Sequence, residues 1–484
     1  MSKMRLLEKS AITIFLIILN NAIAFLINVF LARTMPTLEF GKLQTAYGFT
    51  ALIFNFINLG IVFATNKHIL HAKSQKNNVN SYIFNGFILM LIISAVFLTS
   101  CFIMLKPIMN LFDFNPALET VIQLTLVLVF FNLLYFFFSM SLIISGKTLK
   151  YSIIDVASII FYALGSIILF FLSSMFVENV IIIRIISLAV PAIIIIFIIF
   201  RNAKAKISFS KMKEIIKTAR ISFITFISVI LMSYVSKPII GLISFEQVAY
   251  FSIAMNYGQI ILIVASGIKT ILLSIIGSLG VDKNLKKINT GLNIFSDVVL
   301  KIVLPLACIL IILSKVTILF LYSETYTPAV ILAVPIIIGA VINMLSINDS
   351  ALFTGLDKLK DYNIYNLAKV IIYLPLLLFM IINLGAMGAS LSYAALSIIS
   401  LVAFLFFTRK YGIKMKLDKP LTLIIPLTML YIFFVTNNFL LTSLLLILYV
   451  LLSVKFNIIS ADTKKTMITA LKTRNLNKIA ELIN

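Results

Sequence analysis

Apolar runs long enough to cross a bilayer recur from end to end of this chain of 484 residues. A hydrocarbon core about 30 Å thick takes roughly 20 apolar residues in a helix to span it. Nothing in that core can hydrogen-bond an exposed peptide group, so each run is expected to be helical. Hydrophobic residues make up 61% of the chain and the mean hydropathy is +1.13. Soluble domains hold only ~45–50% apolar residues. The short alternating strands of a barrel are not seen. The expected fold is therefore an all-α polytopic membrane protein.

Runs and loops divide into about fourteen spans. They include 11–32, 43–63, 177–200, 219–243, 247–279, 290–313, 363–382, 387–408, 420–436 and 439–454. The first follows a basic segment, but no small-residue cleavage site follows it, so it is read as an uncleaved anchor. Of 40 Lys and Arg residues, only Arg33, Lys42, Lys106 and Lys315 fall in one alternate set of connections. The N-terminal segment, the other set and the tail after Lys455 hold most of the rest. By the positive-inside rule both termini face the cytoplasm, and the protein is multi-pass in a plasma or inner membrane. The net charge of +23 is thus a record of topology. It lacks the interleaved aromatics of a nucleic-acid surface, and no nucleic-acid partner is expected.

The longest polar connection, "RNAKAKISFSKMKEIIKTAR" from Arg201 to Arg220, is expected to form an amphipathic helix along the cytoplasmic surface, held by anionic lipid. It separates a six-helix lobe at 1–200 from a second at 219–412, with the linker at 201–218. Two more helices follow at 413–456 and a basic tail at 457–484. "PTLEFGKLQTAYG" from Pro36 and "ISFEQVAYFSIAMNYG" from Ile243 are a weak echo of each other. Each has a short turn with a Glu, then small and aromatic residues opening a helix. Paired halves with substrate between them are a common build of transporters.

At this point the chain resembles a family. "LARTMPTLEFGKLQTAYGF" and "INLGIVFATNKHIL" are similar to the start of polysaccharide-export flippases of the multidrug/oligosaccharidyl-lipid/polysaccharide exporter superfamily. "KPIIGLISFEQVAYFSIAMNYGQII", "LYSETYTPAVILAVPIIIGAVINML" and "ALFTGLDKLKDYNIYNLAKVIIYLPLLLFMIINLGAMGASLSYAAL" follow in the family's order. The resemblance implies two pseudo-symmetric lobes around a central cavity and alternating access. It implies a cargo of lipid-linked oligosaccharide, on polyprenyl phosphate or diphosphate, moved from the inner to the outer leaflet. It also reaches the branch of cation-coupled multidrug exporters, the alternative reading. Membrane lipids and glycan-assembly proteins are the other expected partners.

An anionic head and a polar glycan call for cations and amides in a wet cavity. Arg184, Lys237, Lys269, Lys301 and Lys369 lie within spans, as do Asp155, Asp297 and Asp349. A charge at mid-bilayer costs at least ~2.5–3.5 kcal/mol on insertion scales, so function is the default expectation. Bland readings compete. Asp297 and Lys301 are four apart and can pair; Lys369 is near enough to a span end to snorkel outward; Asp155 is placed for snorkelling or a cap. Pro238 removes a helical donor beside Lys237, and freed backbone at depth is tolerated only against protein or a wet cavity. Lys237, Lys269 and Arg184, with Arg33 at the outer end of the first span, are the expected cationic lining. Asn21, Asn28, Asn55, Asn58, Asn256 and Gln259 are weaker candidates for polar lining, and interhelical contact is their other reading. Asp349 is a candidate for coupling to H⁺ or Na⁺, or for a helix cap.

Enzymatic and metal-dependent readings find little. Glu39, Asp113, Glu119, Glu178, Glu246 and Glu324 are scattered over separate short outer loops. No nucleophile–base arrangement or phosphate-binding glycine loop is present. His68 and His71 lack a third ligand and read as solvated. Cys101 and Cys308 form no framework. No catalytic residue, metal or cofactor is expected.

Overall fold

The computed structural model describes residues 3–262 and 304–413, apart from 59, 75–78, 112–116, 201–205, 347–348 and 357, with a few residues between 289 and 303. The described elements are helices, and no strand occurs among the described residues. Eight helices there are long and apolar enough to cross a membrane, or up to ten if each of two bent pairs is one span. The expected spans at 420–436 and 439–454 and the pair Asp297–Lys301 lie outside the described residues, as does most of the expected span at 247–279. Two compact units divide the chain, Met1–Ala249 and Tyr250–Asn484.

The first unit runs α1 (Lys3–Thr34), α2 (Thr37–Asn58), α3 (Ile61–Ser74), α4 (Val79–Leu111), α5 (Ala117–Ile144), α6 (Thr148–Phe171), α7 (Val177–Phe200), α8 (Phe209–Tyr234) and α9 (Ser236–Gly241). Helix α5 is the most buried of the early spans, with Val129, Leu133, Phe137, Phe138 and Leu142 enclosed. Several expected spans are broken helices. The second bends by 49° between α2 and α3, where Gly60 takes φ +81°. A side chain is rarely tolerated at such a φ. The Asn58 side chain accepts from the Val62 N–H at 3.1 Å and closes the new helix start. The expected break at Pro238 is also present: α8 ends at Tyr234 and α9 begins two residues on.

The basic linker is helical from Phe209, and α8 bends by 63° between Phe209–Arg220 and Thr225–Tyr234. Part of its apolar surface meets protein, while Phe209 and Ile216 stay exposed. Ile215 and Ala219 join Ile61, Ala64 and Leu89 in one buried cluster. Polar contacts frame it: Lys211 Nζ donates to Ser81 Oγ at 2.6 Å, and the Tyr82 hydroxyl to Glu214 at 3.0 Å. His68 is part of this dock, stacked on Tyr82 and 3.0 Å from Thr218 Oγ1, not the solvated residue expected.

Lipid tails are as apolar as leucine, so helices in a bilayer associate through close packing of small residues. Here α2 meets α9 and the turn beyond it in this way. A Cβ on Gly41 would lie 1.8 Å from the Phe245 carbonyl oxygen, and one on Gly48 would lie 2.8 Å from Lys237 Cβ. Gly241 in turn lies against Thr45.

A helix over 245–262, α10, leads into the second unit. There follow α11 (Leu304–Leu321), α12 (Thr327–Ser346), α13 (Asp349–Gly355) and α14 (Leu359–Lys410). At 1.5 Å per residue, the 52 residues of α14 would reach about 78 Å if straight. They are two arms joined at Gly385, φ +57°, within the expected loop at 383–386. Contacts between the arms close the hairpin: Tyr365 donates to the Ser400 carbonyl at 3.2 Å, and Tyr411 to Asp361.

The α2 packing generates a prediction. Gly41→Ala forces a methyl into a backbone carbonyl and is expected to destabilise by about 3 kcal/mol. Thermal unfolding in detergent checks this, and an unchanged midpoint would disprove so close an approach.

Candidate functional site

A cavity of about 260 Å³ lies in the first unit among α1, α2, α5, α6 and α7. Its polar lining is Asn28, Tyr47, Thr50, Asn132, Tyr162 and Arg184. Arg184 is about 10 Å along α7 from Val177, at 1.5 Å per residue. Its guanidinium carbon lies 5.0 Å from the centre of the Tyr162 ring, within cation–π range. The Tyr162 hydroxyl is 2.6 Å from that of Tyr47.

The walls are held by tight contacts between α6 and α7. Ser158 donates to the Ser187 carbonyl at 2.5 Å, and Ile183 packs so closely on Gly165 that a Cβ there would be 2.4 Å from it. No Asp or Glu lines the cavity, and Arg184 has no ion-pair partner among the described residues. A fixed cation beside hydroxyl and amide groups is an arrangement suited to an anion that carries hydrogen-bonding substituents.

Of the expected lining, the structure brings Arg184 and Asn28 together in this cavity. Arg33 and Asn21 lie exposed on α1. Asn55 donates to the carbonyl of Ala51 at 2.7 Å, and Asn58 holds the α2–α3 bend. On α10, Asn256 is half-buried and Gln259 exposed. Lys269 lies outside the described residues.

Lys237 is not brought to Arg184. Its stem packs on Gly48, and its ammonium donates to Gln44 Oε1 at 2.9 Å. Gln44 is buried in α2. A lysine beside a broken helix thus meets a buried amide, a partner that the expected cationic lining had not named.

In the second unit, Asp349 pairs with Lys369 at 3.6 Å and accepts from the Ser350 N–H. Lys369 is only 5% exposed, and its ammonium lies 3.9 Å from the Tyr365 ring centre. The expectation that Lys369 snorkels is corrected: a carboxylate and an aromatic face are both within reach inside the protein. Asp155 accepts from the Tyr135 hydroxyl across α5 and α6, a partner the cap reading missed.

Tyr47, Tyr162 and Asn132 were not anticipated. A signal for one wall was present, because Gln44, Tyr47 and Thr50 recur every three residues within an apolar run and so share a helical stripe. Tyr162 and Asn132 stand alone in their spans and gave none.

A family model described as polysaccharide biosynthesis protein matches residues 6–279. Among solved structures, a lipid II flippase, MurJ, in an inward closed conformation is similar, with a TM-score of 0.72 at 19% identity. It covers 93% of this chain and 99% of its own. An inward-facing multidrug resistance MATE family transporter of the MOP superfamily gives a TM-score of 0.67 at 14% identity, over 81% of this chain and 94% of its own. A mutant of the Vibrio cholerae MATE transporter VcmN gives 0.56 at 14% identity, over 83% and 98%. These likenesses concern the fold. No curated protein sequence matches the chain.

The Lys237–Gln44 contact makes its own prediction. Lys237→Met leaves a buried amide oxygen without its donor, which typically costs about 1–3 kcal/mol. The double variant Lys237→Met with Gln44→Met removes both partners and is expected to regain most of that stability. Thermal unfolding of the three proteins decides, and equal midpoints would show that the hydrogen bond carries no weight.

Proposed function

The chain belongs to the polysaccharide biosynthesis protein family, and from that premise we propose that it flips a lipid-linked oligosaccharide across the membrane. In this reading the cargo hangs on polyprenyl phosphate or diphosphate and passes from the inner to the outer leaflet by alternating access. Two six-helix lobes, 1–200 and 219–412, alternate about the cargo. Both termini are cytoplasmic. The protein is a transporter that makes and breaks no covalent bond.

The observation that carries this reading is Arg184 in its cavity. Its guanidinium is fixed against Tyr162 with no carboxylate among the lining residues. Guanidinium matches phosphate oxygens with two parallel N–H donors. Tyr47, Asn28 and Asn132 supply hydrogen-bonding groups for sugar hydroxyls, while the tail stays in lipid. An exporter of organic cations has the opposite need, a carboxylate in the binding cavity, and none lines this one. The fold shared with a lipid II flippase supports a lipid-linked cargo. Arg33, exposed at the end of α1, is assigned the weaker role of drawing the head group outward. Lys237 and Lys269 are secondary candidates. For Asp349 to take up H⁺ or Na⁺, its pair with Lys369 must first open.

The test is flipping of a fluorescent polyprenyl-diphosphate oligosaccharide in proteoliposomes. Wild type is expected to flip it, Arg184→Gln to lose at least about tenfold in rate, equivalent to ~1.4 kcal/mol, and Arg184→Lys to keep part of it. Full activity in Arg184→Gln would remove the cavity from the mechanism. Transport of organic cations with no flipping would establish the exporter instead.

A further inference from the structure

A second cavity in the first unit has a different character. It holds about 210 Å³ and is walled by Thr45, Ala46, Phe49 and Ile53 of α2, Cys101 and Leu105 of α4, and residues of α5 and α9. Apart from Lys42 and two threonines its lining is apolar. An apolar cavity of roughly 150 Å³ already admits a benzene-sized guest, so this one has room for a length of hydrocarbon chain. Cys101 also belongs to a larger cleft of about 550 Å³ along α4, with Ile92, Val96, Phe97, Ser100 and Met104. Ile92, Val96 and Met104 are each more than half exposed, on a helix apolar enough to cross a membrane. The cleft therefore faces lipid and meets the cavity at Cys101.

Charge distinguishes the polar end of this path. Lys42 lines the cavity and pairs with Glu39 at 2.7 Å. The neighbouring ends of α4 and α5 are joined by Lys106 and Glu119 at 3.7 Å. Two of the four basic residues on this less basic face of the chain thus flank the cavity, each matched by a carboxylate. The net formal charge of Glu39, Lys42, Lys106 and Glu119 together is zero. A diphosphate head would want excess positive charge, which is absent here. A head group carrying one phosphate and one ammonium finds a partner for each: phosphate at Lys42 or Lys106, ammonium at Glu39 or Glu119. The Lys106–Glu119 pair is long, and its lysine side chain is 76% exposed, so it is free to re-pair.

We propose that this is a binding site for a zwitterionic phospholipid, one acyl chain entering from the α4 cleft into the cavity and the head group lying across the two ion pairs. The site is separate from the Arg184 cavity and does not depend on the identity of the cargo.

The chain has no tryptophan, which provides a clean reporter. Phe49→Trp places a single fluorophore in the cavity wall. Phe171→Trp, at a position 78% exposed, reports ordinary lipid contact. Each is reconstituted with phospholipids brominated on the acyl chain, which quench tryptophan on contact. If Phe49→Trp misfolds, Ile122→Trp reports from the α5 wall.

The expected result is quenching of the cavity tryptophan that saturates, with half-effect at a mole fraction of brominated phosphatidylethanolamine at least fivefold below that of brominated phosphatidylglycerol. Phe171→Trp should instead follow bulk composition without preference. Lys42→Ala with Lys106→Ala should bring the head-group preference to within twofold while chain quenching persists. Three results overturn the proposal: no quenching at the cavity, quenching that tracks bulk composition as the control does, or preference for phosphatidylglycerol. Displacement of the brominated lipid by stoichiometric polyprenyl phosphate would also overturn it, and would assign the cavity to the isoprenoid carrier.

Discussion

Hydrocarbon rewards neither apolar contact between helices nor an unpaired polar group, and both facts bear on where this chain keeps its charges. Helices must be joined by close approach and by polar contacts made inside protein. The contact of α2 with α9 combines the two. Glycines at 41 and 48 let backbones approach until no side chain would fit. The same approach brings the Lys237 ammonium to Gln44. The broken helix at Pro238 is what turns a short segment against α2. Lys237, Pro238 and Gly241, within five residues, form one device with the glycines of α2.

The same rule sorts the other buried charges. Lys369 has Asp349 and the Tyr365 ring, and Asp155 has Tyr135. Each is neutralised or hydrogen-bonded by an apolar-looking span nearby. Arg184 differs, since its described contact is the face of an aromatic ring, in a cavity that no carboxylate lines. A charge satisfied by a carboxylate is structural by default. One held against a ring in a cavity that no carboxylate lines is the natural candidate for a ligand contact.

Much of the fold was legible because its signals are local. Long apolar runs, the Gly385 turn and the Pro238 break each depend on residues within a turn or two of one another. The span at 177–200 coincides with α7. The candidate site was legible only in part, because charge in an apolar run shows that a partner is needed without naming it. Arg184 and Asn28 were identifiable alone, but Tyr162 is 22 residues from Arg184 and Tyr47 is 115 from Tyr162. Lys369 was misplaced for the same reason, its partner lying 20 residues back across a helix turn. The docked face of the basic linker was hidden too, since lipid and protein ask the same amphipathic pattern of a helix.

The hairpin of α14 has a consequence for topology. Its turn at Gly385 has no polar loop to anchor it beyond the membrane, whereas Lys358, Lys360, Arg409 and Lys410 gather at the opposite end. Two arms folded about one glycine keep all four of these charges on the same side, so the pair behaves as a single topological unit with one basic end.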